Sequence, residues 1–173
     1  MGISLFDISI PTYIQVLNGV EGCLKKGRDY FEANGVDLEE IVNYRIHPDM
    51  LPLRFQLVSV MHHSLNSIRG IQNGLFEPPP SMPDLNYMDL QNLVVNSRDE
   101  LAQESRESID DLLGKPMVFR LGEKEIPFKA ENFVMSFSIP NLLFHATTAY
   151  SILRANNVPL SKLDFMGTMR IGY

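Results

Sequence analysis

The chain has 173 residues, a length that fits one domain over 1–173, and 45% of them are hydrophobic, with ten Phe and nine Met. That content excludes a disordered chain, which would be poorer in apolar side chains and more strongly charged. A net charge of −6, with Lys and Arg scattered and no basic run longer than Lys25-Lys26, excludes a nucleic-acid-binding surface.

From about Ser9 to Asn34, Ile10, Tyr13, Leu17, Val20, Leu24 and Phe31 recur at three- and four-residue steps, with Gly27 filling one step. This is the seam of a helix packed on other helices. Pro11 suits its first turn and Gly35 its exit. Cys23, the only cysteine, lies beside the seam as a packed, inert thiol and excludes an intramolecular disulfide. With Asp7 interrupting the first apolar stretch, no signal peptide is expected, and the sequence predicts a cytoplasmic protein.

A short helix follows, capped by Asp37 with Glu40 in capping-box position. His47 falls in a loop ending in Pro48-Asp49-Met50-Leu51-Pro52. A second long helix is predicted over 52–73, with Leu53, Leu57, Val60, Met61, Ser64, Ile68 and Ile71 on one face and Gly74 at its end. His62 and His63 lie midway along it. Adjacent helical residues point about 100° apart, so at most one can face inward, and each is assigned a surface position. Glu77-Pro78-Pro79-Pro80 and Pro83 form an extended connector.

The third long helix is predicted over 86–113, with Tyr87, Leu90, Val94 and Leu101 inside and Arg98, Asp99, Glu100, Glu104, Arg106 and Glu107 outside. Two β-prone runs, 117–121 and 125–129, flank Gly122-Glu123-Lys124 and predict a hairpin, with Pro127 confining the second run to an edge. The fourth helix, 131–156, is apolar nearly all round and is expected to be the most buried element, with a kink at Pro140. Ser138, Asn141 and His145 inside it argue against a membrane span. The expected fold is therefore mostly α, a four-helix bundle with a small β-hairpin between helices three and four. After Pro159 the apolar tail, with Leu163, Phe165, Met166, Met169, Ile171 and Tyr173, is expected to dock in extended form.

No phosphate-cradling glycine loop, zinc-protease motif or nucleophile elbow is present. One pattern invites a ligand: Ser138, Asn141, His145 and Thr148 share a face of the fourth helix. A polar line on an apolar helix must meet water, a ligand or hydrogen-bonding partners, since an unpaired buried group costs about 1–3 kcal/mol. The expected pocket lies between helices two and four, lined by His145, Asn141, Thr148 and one of His62 or His63.

The stretch Asn141 to Arg154, followed by Asn157-Val158-Pro159-Leu160 and Asp164-Phe165-Met166-Gly167, carries a resemblance, as do Ser4-Leu5-Phe6-Asp7 and the loop Pro48 to Leu53. Together they resemble an uncharacterised bacterial and fungal domain-of-unknown-function family within the DinB/YfiT-like superfamily of four-helix bundles. The resemblance implies a divalent-metal site of three histidines, one on helix two and a His-x-x-x-His pair on helix four. Such sites imply zinc or nickel and, in some members, transfer of low-molecular-weight thiols. Here His145 matches the first of the pair, His62 or His63 the helix-two ligand, and Ala149 stands where the third would be. No metal cofactor is therefore expected; if one binds, its ligands are His145 with His62 or His63. Two readings follow. One is a small-molecule-binding or homodimeric structural module with a degenerate metal site. The other is a zinc- or nickel-dependent transferase or hydrolase.

Overall fold

The computed structural model describes residues 4–79 and 84–172. Pro80 and Pro83 of the proline connector, and Tyr173 of the tail, lie outside the described residues.

Helix α1 (Leu5–Ala33) starts earlier than its seam implied, because Ser4 and Asp7 form a reciprocal capping box. Pro11 consequently sits in the second turn and not the first. The seam itself is buried from Ile10 through Phe31, as the spacing required. Helix α2 (Leu38–Val42) is capped by Asp37, whose carboxylate accepts from the Glu39 N–H at 2.9 Å.

The second long segment is not one helix. It divides into α3 (Leu53–His62) and α4 (Leu65–Asn73), with Ser64 leaving helical geometry at φ −113° and ψ −83°. Gly74, at φ +73°, ends α4 and turns the chain into a two-residue strand, β1 (Leu75–Phe76). The third segment also divides, into α5 (Tyr87–Leu101), started by an Asn86/Asp89 capping box, and α6 (Arg106–Asp110), restarted by Ser105.

The hairpin forms where expected, as β2 (Pro116–Leu121) and β3 (Lys124–Lys129), with Gly122 at φ +60° in its turn and Pro127 opposite Val118 on the edge strand. β1 adds to it in parallel, giving the order β1-β2-β3. Two residues are too few to show an alternating pattern, so this third strand left no periodic signal. The fourth segment runs through α7 (Ala130–Phe133), a π-helical turn (Val134–Ser138) and α8 (Ile139–Ala155). The π turn lies just ahead of Pro140, whose ring offers no N–H to the helix ladder.

Helix α1 packs on α5 and α8, and α3 packs on the same two. The four long segments thus make a bundle in which α1 and α3 stand at opposite corners. Tyr13, Leu17, Leu24, Leu53, Leu57, Leu90, Phe133, Leu142 and Ile152 fill it and are fully buried. Each such apolar side chain contributes about 1.5–3 kcal/mol.

Two expectations about the last third of the chain need correction. The fourth segment is not buried all round: Met135, Leu143 and Phe144 are exposed, Phe144 by 59%, with their face left uncovered among the described residues. The tail is not simply extended either. Ser161 and Asp164 cap a short helix, α9 (Lys162–Met166), which packs on α1. Phe165 meets Tyr150 edge-on at 5.8 Å, and the Gln15 side-chain amide donates to the Met166 carbonyl at 3.1 Å. Gly19 makes this possible, since a β-carbon there would fall 2.1 Å from the Phe165 carbonyl oxygen. Lys26 pairs with Asp164 across the same contact. Leu163 and Ile171 nevertheless stay 68% and 85% exposed, so α9 buries one side of the tail and not the whole of it.

Candidate functional site

His62 closes α3 and His63 follows it. Both are buried, at 4% and 9% exposure, which corrects the surface positions read from the helical wheel. The wheel considered only the four-helix seam, whereas β1 brings Phe76 over both rings, 4.4 Å from His62 and 5.8 Å from His63 between ring centres. Phe137 meets His63 edge-on at 5.6 Å. The break at Ser64 is held by side chains. Ser64 Oγ donates to the Val60 carbonyl at 2.7 Å, and Ser138 Oγ donates to the His63 carbonyl at 2.7 Å. With its proton so used, Ser138 accepts from the Tyr13 hydroxyl at 2.6 Å.

The polar stripe of the fourth segment therefore divides by role. Ser138 belongs to this buried network. Asn141 sits at the mouth of a cavity of about 130 Å³, walled by His62, His63, Phe76, Phe119, Phe137, Pro78 and Pro79. His145 lies behind that wall, stacked on His63 with ring centres 5.6 Å apart and planes 7° from parallel. Thr148 faces away, along an outer groove with Ile46, Met50, Leu143 and Phe144, and its hydroxyl bonds only to the Phe144 carbonyl of its own helix. So the structure brings both His62 and His63 to the cavity with Asn141, and leaves His145 and Thr148 outside its lining.

Hydrogen bonding fixes the polar faces of these groups. Arg69 donates to Asn66 Oδ1 at 3.2 Å, so the Asn66 amide nitrogen is the end that meets His62 Nδ1, at 3.3 Å. His62 Nδ1 is then an acceptor, and its proton sits on Nε2. In the same way, Gln56 donates to the Leu51 carbonyl at 2.8 Å, which leaves Gln56 Oε1 to accept from His145 Nδ1 at 2.8 Å. The His145 proton is on Nδ1 and its lone pair on Nε2. Asn141 donates through Nδ2 to the Phe137 carbonyl at 2.7 Å, leaving Oδ1 free to accept.

Two imidazole nitrogens, His62 Nε2 and His63 Nδ1, are buried without a hydrogen-bond partner among the described residues. Burial depresses the pKa of His62 to about 4, against a smaller upward pull from the Glu77 backbone. Burial, then repulsion from His62 and His145, takes His63 to about 3, and burial takes His145 to about 4. All three rings are neutral at pH 7. Burial likewise pushes the Cys23 thiol up to about 12, helped by Asp164, so this cysteine is an inert thiol.

The residues do not fit a three-histidine metal centre. Among the described residues, no group of three or more His, Cys, Asp or Glu side chains is arranged to hold a metal ion. A ligand must offer a lone pair, yet His62 Nε2 carries a proton in the tautomer Asn66 selects. Ala149, one turn on from His145, is buried in a small apolar cavity with Val20, Cys23, Leu24 and Leu57 and offers no ligand atom.

Sequence reasoning missed Phe76, Phe119 and Phe137 as cavity walls, and Gln56 and Asn66 as the groups that set the tautomers. Asn66 was readable, since it lies four residues past His62 on one helix face; Gln56 meets His145 from another helix and left no local signal.

A family model described as a domain of unknown function (DUF1993) matches residues 5–166. A crystal structure of a DinB family member protein from Shewanella denitrificans is similar in fold, with 21% identity, a TM-score of 0.79, and coverage of 98% of this chain and 95% of that one. No curated protein matches. Among the described residues no helix is long and apolar enough to cross a membrane.

Proposed function

The chain belongs to the DUF1993 family of DinB-like bundles, and since a fold does not fix a function, we propose from the site itself that it is a small-molecule-binding module. Its ligand enters the cavity beside His62, His63 and Asn141. One observation carries this reading: two neutral histidines and the Asn141 amide, whose Oδ1 is left free to accept, converge on a cavity otherwise walled by Phe and Pro side chains. Polar groups converging on an apolar cavity are the usual form of a binding site. A thermal-shift screen with a mixed panel of small neutral, anionic and cationic compounds tests it. At least one compound is expected to raise the melting temperature of the wild type and to fail with Asn141→Leu. A panel that shifts nothing, or shifts both proteins alike, overturns the reading.

The module is further proposed to act as a homodimer through the outer face of α8. Leu143 and Phe144 lie exposed there beside Ile46, and among the described residues no charged side chain lines the groove they form. A self-complementary apolar face is what a two-fold dimer uses. Light scattering at micromolar concentration is expected to give a dimer for the full chain and a monomer for Phe144→Glu; a monomeric full chain rules the dimer out.

The alternative is a zinc- or nickel-dependent transferase or hydrolase acting on low-molecular-weight thiols, and the lack of three converging ligands weighs against it. Elemental analysis of protein purified without an affinity tag is expected to find no stoichiometric zinc or nickel. About one ion per chain, lost on His145→Ala, would overturn the metal-free reading and favour the alternative.

A further inference from the structure

One face of α1 carries Gln15, Gly19, Cys23 and Lys26, at steps of four, four and three residues. Helix α9 lies over this face. Gln15 donates to the Met166 carbonyl, Gly19 leaves room for the Phe165 carbonyl, and Lys26 pairs with Asp164. Cys23 stands between these contacts and is buried. It lines a small apolar cavity of about 10 Å³ with Val20, Ala146, Tyr150 and Leu153, and Phe165 completes the lining. That volume is about the least that admits one water molecule.

The anchoring of the chain changes abruptly at Leu160. Val158 and Leu160 are buried, whereas no side chain from Ser161 to Gly172 is. A helix of five residues does not hold itself together, so α9 exists by its docking. The docking rests on the half-buried Phe165 ring, the hydrogen bond from Gln15, and an ion pair whose lysine is 55% exposed and which therefore contributes little. Few buried apolar contacts and solvated polar ones mark a segment that opens ahead of the whole fold.

We propose that residues 161–172 form a hinged cover, which lifts from Ser161 as one unit while the bundle stays folded and opens the apolar cavity and the Cys23 thiol beneath it to solvent. Access to the thiol is thereby set by the docking of α9 and not by the stability of the bundle. The cover also sets the chemistry of the thiol. Burial and Asp164 hold it in its protonated form while α9 is docked, and Lys26 pulls the other way. Lifting α9 removes the first two and leaves Lys26 in place on α1, so the inert thiol becomes a reactive one.

Labelling of the full chain with dithiobis(nitrobenzoate) at pH 8 tests this, since Cys23 is the only thiol. The Cys23 thiolate attacks one sulfur of the reagent, a mixed disulfide forms, and one coloured thionitrobenzoate anion leaves. Without denaturant the chain is expected to release one anion, and Cys23→Ser none. The rate should be nearly flat in urea well below the unfolding midpoint, whereas reaction through global unfolding would climb with the full urea dependence of stability. Val94→Ala, in the buried core of α5, should raise the unfolding equilibrium constant about tenfold and leave the labelling rate within about twofold. Phe165→Ala should speed labelling about tenfold or more. Gly19→Ala favours α1 as a helix, yet its β-carbon takes the place of the Phe165 carbonyl oxygen. It should speed labelling at least as much, with the circular-dichroism spectrum of a folded bundle. A thiol that reacts only as urea unfolds the bundle overturns the proposal, as does Val94→Ala speeding the reaction by as much as it destabilises the fold. A rate unmoved by both Phe165→Ala and Gly19→Ala overturns it too.

Discussion

Helix α1 and the α3–α4 pair stand at opposite corners of the bundle and treat helix-breaking chemistry in opposite ways. α1 carries Pro11 in its second turn and still runs unbroken for 29 residues. α3 ends at His62 with no proline or glycine to end it. The difference lies in where the freed backbone groups find partners. Along α1 a proline forfeits one bond, to the Asp7 carbonyl, and the continuous seam of Ile10, Tyr13 and Leu17 holds the helix together regardless. At the α3–α4 junction the His63 carbonyl, which in a continuous helix would accept from the Ser67 N–H, is taken by Ser138 from across the bundle. A helix breaks where tertiary structure offers its backbone a better partner, and it can survive a proline where packing is uniform.

The largest effect expected from this contrast is a pH dependence confined to the broken corner. His62, His63 and His145 have folded-state pKa values of about 4, 3 and 4, below the ordinary value near 6.5. Between pH 6.5 and about 4 the unfolded chain therefore binds protons that the folded chain does not, and stability falls as pH falls through that window. The carboxylates of Asp7 and Asp164 are held below the usual range by Arg106 and Lys26, so their contributions are lost only under more acidic conditions. Urea denaturation is expected to show a loss of about 2–5 kcal/mol between pH 7 and pH 5, discounted from the full shifts for partial exposure and coupling. His63→Phe, which suits its neighbours Phe76 and Phe137, should flatten that slope by about a third. An unchanged slope in the variant would mean that the histidines are not the source.

Next in size is the pin itself. Ser138→Val leaves the His63 carbonyl and the Tyr13 hydroxyl, both buried, without their partner. The expected loss is about 2–4 kcal/mol by urea denaturation. A loss under about 1 kcal/mol would show that the junction stands without Ser138.

Much of the fold was legible because it rests on local pattern. The seams of α1 and α5 and the Gly122 turn each needed only a periodicity or a turn residue to be seen. The site was legible in its members and not in its arrangement. Asn141, His145 and the histidine pair stood out as polar groups among apolar neighbours, but β1, the break at Ser64 and the Phe76 cover depend on residues far apart in sequence. Those contacts decide which histidine nitrogen is free, and no spacing rule contains them.

Relieving the proline in the intact corner should have the opposite sign. Pro11→Ala restores an N–H to the Asp7 carbonyl and removes the ring's clash with it. An increase in stability of about 1–3 kcal/mol is expected, with α1 unchanged in extent. A decrease would mean that the proline ring is itself a packing element of the groove it lines with Phe6 and Ile14.

The smallest effect sharpens the contrast most closely, because it compares two hydroxyls on one helical stripe. Thr148 Oγ1, like Ser138 Oγ, donates to a backbone carbonyl, but its acceptor is Phe144 of its own helix, four residues back. In a regular helix that carbonyl also receives the Thr148 N–H, so removing the hydroxyl leaves it with a partner. No second element depends on the bond, and the side chain lies by an open groove where water can reach. Thr148→Val should therefore change stability by less than about 0.5 kcal/mol and leave ligand binding untouched, while Ser138→Val costs several times more. The comparison is best made in one urea series at pH 7 with a shared wild-type control. Equal losses for the two variants would mean that a hydroxyl on this stripe counts only for its local bond, and the account of the α3–α4 break as a tertiary pin would fail.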